Sequence, residues 1–343
     1  MSIATILSID GGGIRGLIPA RVLAEIEART ARPVHALFDI VAGTSTGGIL
    51  SLALTRPDRP GGTAARWPAA ELVDLYLRNG PEIFTRSVWR RISTLWSLLG
   101  PKYDGVALER VLRQYLEEYR LHDALTRVVV TAYDTEGPAP AFFKSWRALP
   151  PESGFSGPAV NRWDFRMWEV ARATAAAPTY FPPLRLPDLA PGGRPMTLLD
   201  GGVFAANPGM CALADALVLF RGADLYVVSL GTGNTARPIP WDTARRWGLA
   251  GWARPIIDVL MDGVSDTVEY QLGELLPAAL AGAHHRLQIP LAGVNDDMDD
   301  ASPSNMAGLV RVAERLIAER TAEIDRVCRE LLDAQGRRPG PAA

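Results

Sequence analysis

The run Ile3–Ile9 (IATILSI) carries no charge and ends abruptly in Asp10-Gly11-Gly12-Gly13. Short apolar runs of the same kind recur at Phe38–Ala42, Arg127–Ala132, Ala141–Lys144, Met196–Leu199, Leu225–Ser229 and about Arg286–Ile289, with helical spacing between most of them. That alternation predicts an α/β chain whose largely parallel sheet is covered by helices on both faces. The first helix is expected to follow Gly16, with Ile18, Val22, Leu23 and Ile26 on one face and Pro19 in the opening turn, where a missing N–H does no harm. Ser302-Pro303 has the form of an N-cap followed by N1 and opens a helix whose apolar positions are Met306, Leu309, Val310, Ala313, Leu316 and Ile317.

Composition narrows the function classes. The chain has 343 residues, 48% apolar and 22% charged, which suits a packed globular core. Thirty-six basic against 38 acidic side chains give a net charge of −2, so no bulk electrostatic attraction to nucleic acid is expected. Two isolated cysteines, Cys211 and Cys328, make neither a disulfide framework nor a thiolate metal site. No stretch has the roughly 18 apolar residues of a membrane span, and the N-terminus lacks a signal peptide's basic and long apolar regions, so a cytoplasmic location is the expectation. The turn-rich stretches Arg56–Thr63 and Pro150–Gly157 are read as surface loops, because the strand pattern resumes after each. Residues 1–335 are accordingly expected to form one domain, with 336–343 as a flexible tail.

Three glycine-rich turns each follow a strand-like run. In Asp10-Gly-Gly-Gly-Ile-Arg-Gly16, Gly11, Gly13 and Gly16 satisfy the G-x-G-x-x-G dinucleotide fingerprint, but the acid that should close the second strand about 20 residues on is missing. Consecutive glycine amides at a helix N-terminus can instead stabilise a developing negative charge; a plain strand-to-helix turn is the third reading. Gly43-Thr-Ser-Thr-Gly47 places Ser45 on a sharp strand-to-helix turn, the form of a nucleophile elbow, although an ordinary glycine turn has the same letters. A serine nucleophile needs a base. His35, His122, His284 and His285 are poorly placed by their sequence context, whereas Asp200 ends an apolar run and precedes two glycines; an Asp-Gly turn is the structural alternative. Together the three sites supply a nucleophile, a base and oxyanion donors at the strand ends where open parallel sheets place their crevice.

The same residues resemble the patatin-like phospholipases. Asp10–Gly16 is similar to that family's oxyanion loop, Gly43–Gly47 to its nucleophile elbow and Asp200-Gly-Gly202 to its aspartate motif. Pro101–Asp104, Ala132–Asp134, Phe142–Ser145, Ala173–Pro183 and Met298–Pro303 agree as well, so the resemblance spans residues 3 to about 330 in order. It implies a three-layer α/β/α sandwich with a central mostly parallel sheet, and hydrolysis of acyl esters in glycerolipids by a Ser–Asp dyad without metal, cofactor or histidine. Ser45 is then the nucleophile, Asp200 the general base and Gly11, Gly12 and Gly13 the oxyanion donors, with Arg15 as an adjacent anion or substrate contact.

Two tryptophan-rich segments bear on a lipid substrate. Thr85–Leu99 mixes Arg86, Arg90 and Arg91 with Trp89 and Trp96, and Arg245–Arg254 repeats that composition after Trp241. Both suit transient contact with a membrane surface, or else helices packed on the domain with snorkelling arginines. The acidic stretch Asp296–Asp300 lacks the glycine and distal glutamate of an EF-hand and is read as helix-terminal charge. The expected partner is a phospholipid or other acyl-ester lipid, and the sequence admits a homo-oligomer. Competing functions are an acyltransferase that intercepts the same acyl-enzyme, a phospholipase effector of the anti-phage type switched on by a cyclic nucleotide, and a non-catalytic nucleotide-binding module.

Overall fold

The computed structural model describes residues 2–85, 100–149, 163–189, 192–234, 238–252, 255–279 and 283–339. In chain order the main elements are β1 (Ile3–Ile9), α1 (Leu17–Thr30), β2 (Ile40–Thr44), α2 (Thr46–Thr55), α3 (Ala69–Ile83), α4 (Val106–Leu116), β3 (Arg127–Asp134), β4 (Ala139–Lys144), α5 (Met167–Thr174), β5 (Leu184–Leu186), β6 (Met196–Asp200), α6 (Gly209–Leu219), β7 (Asp224–Leu230), α7 (Pro255–Ala279), β8 (Ala283–Leu287), α8 (Pro303–Glu319) and α9 (Thr321–Gln335). The strands form one eight-stranded sheet ordered β5-β6-β3-β2-β1-β7-β8, with β4 also paired to β3. Pairings from β3 through β8 along that order are parallel, and those made by β4, β5 and β6 are antiparallel.

Side-chain alternation divides the core. Leu7 and Ile9 of β1, Val41 of β2 and Val128 and Val130 of β3 pack under α1–α5, α8 and α9. Ala4 and Ile6, Ile40 and Ala42, and Val129 face the other way, onto α6 and α7 through Leu213, Phe220, Leu272 and Leu276. A sheet covered on both faces explains why its central strands lack polar alternation. The arrangement is the expected mostly parallel three-layer α/β/α sandwich. Ser302 caps α8 as expected, accepting from the Asn305 amide, with Pro303 at N1.

Register at the sheet's centre creates the crevice. Residues Val129–Thr131 pair with β4 on one side and with β2 on the other, and Ala132 pairs with Ala141 of β4 and with Asp200 of β6. β2 and β6 therefore share one flank of β3 and run toward each other, Thr44 lying opposite Thr131 and Asp200 opposite the next residue. Two strands meeting end to end leave a gap at the level of Ser45.

Two expectations shift. The last strand is Ala283–Leu287, three residues before the expected start, because His284 and His285 are accommodated in the ladder with β7. The start of the expected loose tail is tied down: the Ile3 amide donates to the Arg337 carbonyl (2.8 Å), and Arg338 donates to the Ala36 carbonyl (2.7 Å) and pairs with Asp39 (3.2 Å). Segment 86–99, with Trp89 and Trp96, the stretch 150–157 expected to form a loop, Arg254 and the tail residues 340–343 lie outside the described residues.

Candidate active site

Ser45 has φ 54° and ψ −121°, a left-handed backbone at a residue with a Cβ. Such strain persists only where the surroundings over-determine it. Here the glycines on either side allow strand and helix to touch: a Cβ on Gly43 would lie 2.2 Å from the Gly47 carbonyl oxygen, and one on Gly47 would lie 2.1 Å from that of Ile9. The Ser45 amide is fixed by donation to Thr174 Oγ1 at 2.8 Å. Below the serine, Thr44 and Thr131 hydroxyls meet at 2.7 Å and Thr44 donates to the Ala205 carbonyl at 2.6 Å, which joins the elbow to the segment after Asp200.

Asp200 is held by its own amide, which donates to the Ala176 carbonyl (3.0 Å), and its Oδ1 accepts from the Gly202 amide (2.7 Å). The Ser45 hydroxyl stands near enough to favour the charged form of the carboxyl. Burial drives the Asp200 carboxyl up to about 6, against the opposing pull of Ser45 and of the Gly202 hydrogen bond. Both residues open into one apolar cleft of about 1190 Å³, mouth included, walled by Ile14, Leu75, Tyr76, Leu112, Phe181 and Met298 among others. Tyr76 contacts Thr46 through a short hydroxyl–hydroxyl hydrogen bond.

The glycine loop borders the serine. Gly11 lies so close that its Cβ would sit 3.3 Å from Ser45 Cβ, but its amide is occupied, donating to the Ala206 carbonyl at 2.9 Å. This takes Gly11 out of the expected donor set and leaves the amides of Gly12 and Gly13. Gly13 lines the cleft at φ 58°, and a Cβ there would collide with the Met298 carbonyl oxygen at 2.1 Å. That carbonyl accepts the Ile14 amide (2.8 Å). Met298 is anchored in turn by its neighbour Asp299, which accepts from Tyr103 (2.6 Å) and pairs with Lys102. Arg15 does not line the apolar cleft; it lines a neighbouring polar cavity with Asp10 and Gly11.

No described histidine lines the cleft. His122 hydrogen-bonds Asp164 (2.8 Å) and His285 lies against Glu323 (3.4 Å), while His284 faces Glu269 at 3.6 Å without a hydrogen bond, burial pushing its imidazole down to about 4. Sequence reasoning missed Thr174 and Arg286. Arg286 of β8 grips Asp10 with both terminal nitrogens, at 2.6 and 3.1 Å, and also donates to Ser229 (2.8 Å). Its only sequence signal is an arginine inside a strand-like run.

Comparison with known proteins adds the family. The model of the patatin-like phospholipases matches residues 7–212, which include the glycine loop, the elbow and Asp200. This chain belongs to that family. Patatin-like protein 2 of Oryza sativa subsp. indica is 32% identical, with 98% of this chain and 89% of the relative covered. A Solanum tuberosum relative named "Probable inactive patatin-3-Kuras 1" is also 32% identical, over 93% of this chain and 87% of its own. Among solved structures, human GIVD cytosolic phospholipase A2 aligns with a TM-score of 0.45 and 12% identity, covering 96% of this chain and 60% of that one. As patatin-like family members differ in the activity their names declare, catalysis in this chain has to be argued from its own residues.

Proposed function

We propose that this patatin-like protein is a serine lipid acyl hydrolase that cleaves ester bonds of phospholipids or other glycerolipids through an acyl-enzyme on Ser45. The observation that carries the reading is a strained elbow serine and a buried aspartate brought together in the lining of one apolar cleft. Asp200 takes the serine proton as Oγ attacks the ester carbonyl. A carboxylate raised to about 6 is a stronger base than an ordinary one and is still ionised at neutral pH. The amides of Gly12 and Gly13, with the N-terminus of α2, stabilise the oxyanion. The acyl chain occupies the apolar cleft, the alcohol leaves with the proton, and water activated by the same carboxylate releases the fatty acid.

Lipid reaches the cleft across an apolar rim: Val203 and Leu260, at its mouth, are 41% and 55% exposed. Contact with a membrane surface is part of this proposal. Incubating phospholipid vesicles with wild-type and Ser45→Ala protein and identifying products by mass spectrometry tests it. Fatty acid and lysolipid from the wild type alone are expected, with activity lost by about 10⁴-fold in the variant; equal release by both, or fluorophosphonate labelling of another residue, would defeat the assignment.

A further inference from the structure

Strand register brings a second loop against the glycine loop. β1 and β7 pair in parallel through Ile9 and Leu230, so Asp10 and Gly231 leave the sheet side by side, and the Asp10 amide still donates to the Leu230 carbonyl at 3.0 Å. The loop that follows β7 is itself anchored: the amides of Gly231 and Asn234 donate to the carbonyls of Leu287 (3.0 Å) and Ile289 (3.1 Å), and that of Gly233 to Gln288 Oε1 (2.8 Å). Thr232 stands between these anchors, 3% exposed, and its Oγ1 donates to the Gly11 carbonyl at 2.8 Å. Only a glycine at position 12 lets it come so near, because a Cβ there would lie 2.3 Å from the same Oγ1. Resting on the hydrolase reading above, we propose that Thr232 is a positioning residue: by holding the Gly11 carbonyl, its hydroxyl aims the Gly12 amide at the oxyanion formed on Ser45.

The peptide plane carries the effect. Every described peptide bond is trans, so the carbonyl of Gly11 and the N–H of Gly12 point in opposite directions from one rigid plane. Fixing the first fixes the second. Thr232 lines the polar cavity with Asp10, Gly11 and Arg15 and is not among the walls of the apolar cleft, so it draws the Gly11 carbonyl to the polar side and leaves the Gly12 N–H facing away from it. Ser45 lies against the same stretch, a Cβ on Gly11 falling 3.3 Å from Ser45 Cβ. The next plane is set within the turn itself, where the Gly12 carbonyl accepts the Arg15 amide (3.2 Å) and Arg15 Nε (3.4 Å). Of the two donor amides, that of Gly12 is thus the one aimed by a residue 221 positions away. A hydrogen bond weakens steeply once its angle falls below about 120°, so an amide left to rock in its plane serves the transition state poorly.

The test uses Thr232→Val and Thr232→Ala, which lose the hydroxyl with and without keeping the volume, and Thr232→Ser, which keeps the hydroxyl. Each protein is assayed on 4-nitrophenyl butyrate and on its thionoester, in which sulfur, a weak acceptor, replaces the carbonyl oxygen. The ratio of the two kcat/KM values is taken within one preparation, so the amount of folded enzyme cancels. Thr232→Val and Thr232→Ala are expected to lower kcat on the oxygen ester by about tenfold or more with KM within about twofold, and to reduce the oxygen-to-sulfur ratio by about fivefold or more, while Thr232→Ser stays within about threefold of wild type in both. An unchanged ratio in either hydroxyl-free variant, or an equal reduction in Thr232→Ser, overturns the positioning role while Ser45-dependent hydrolysis stands. Wild-type hydrolysis of the oxygen ester no faster than that of Ser45→Ala overturns the hydrolase reading and the positioning role with it.

Discussion

Asp200 combines two opposed demands. In the base role proposed for it a raised pKa is a gain, whereas as a buried charge it weakens the fold. Since its folded value is about 6 against 3.8 for an ordinary aspartate, its contribution favours the native state only while the carboxyl is protonated, and it is lost as pH rises from about 4 through 6. Asp200→Asn is therefore expected to abolish hydrolysis yet stabilise the protein above pH 7 by on the order of 2–3 kcal/mol, the gain shrinking toward pH 4. Urea titrations of both proteins at several pH values measure it; a variant that is less stable at every pH would contradict the account. By the same value, kcat/KM on a soluble ester should fall on the acid side with a midpoint near 6. Arg286 works at one remove: truncating it to Met leaves Asp10 buried without its cation, and a loss of about 3–5 kcal/mol is expected in the same titration.

At the scale of elements, the elbow and the glycine loop depend on missing side chains. Gly13→Ala adds a Cβ against the Met298 carbonyl at a positive φ, so the loop must move away from its clamp. The expected outcome is retained far-UV circular dichroism with esterase activity reduced about 100-fold or more, and near-wild-type activity would show that Gly13 supplies no oxyanion donor. These turns were legible in the sequence because strand, glycine and helix follow one another locally: Ile3–Ile9, Ser45, Asp200 and the Ser302 cap all stand where the residue pattern puts them. What escaped were long-range partners. Nothing near Thr174 indicates that its hydroxyl will accept the Ser45 amide, nothing near Gly11 that its amide will turn to Ala206, and the three-residue β5 is too short for its period to register. Arg286 looked like part of a strand because it is one; its pairing with Asp10 arises only when β8 joins β7 at the sheet's edge.

For the whole molecule, no described helix is long and apolar enough to cross a membrane, and the proposed contact with lipid is assigned to surface side chains. Trp241 and Leu249 are 72% and 95% exposed, and the short helix carrying Leu249 packs against α7, whose Leu260 stands at the cleft mouth. Replacing Trp241 and Leu249 by Ser should weaken co-sedimentation with vesicles by roughly tenfold, while hydrolysis of a soluble ester stays near wild type; unchanged vesicle binding would place the contact elsewhere. The end-to-end meeting of β2 and β6 on one flank of β3 has a kinetic side. The proposed nucleophile and base enter from segments far apart in the chain, and the strands that carry them both pair with β3. Catalytic competence is thus among the most non-local properties of this chain. After dilution from denaturant, helical signal will return ahead of the ability of Ser45 to react with a fluorophosphonate, and the interval between the two times how long the sheet takes to close its central seam.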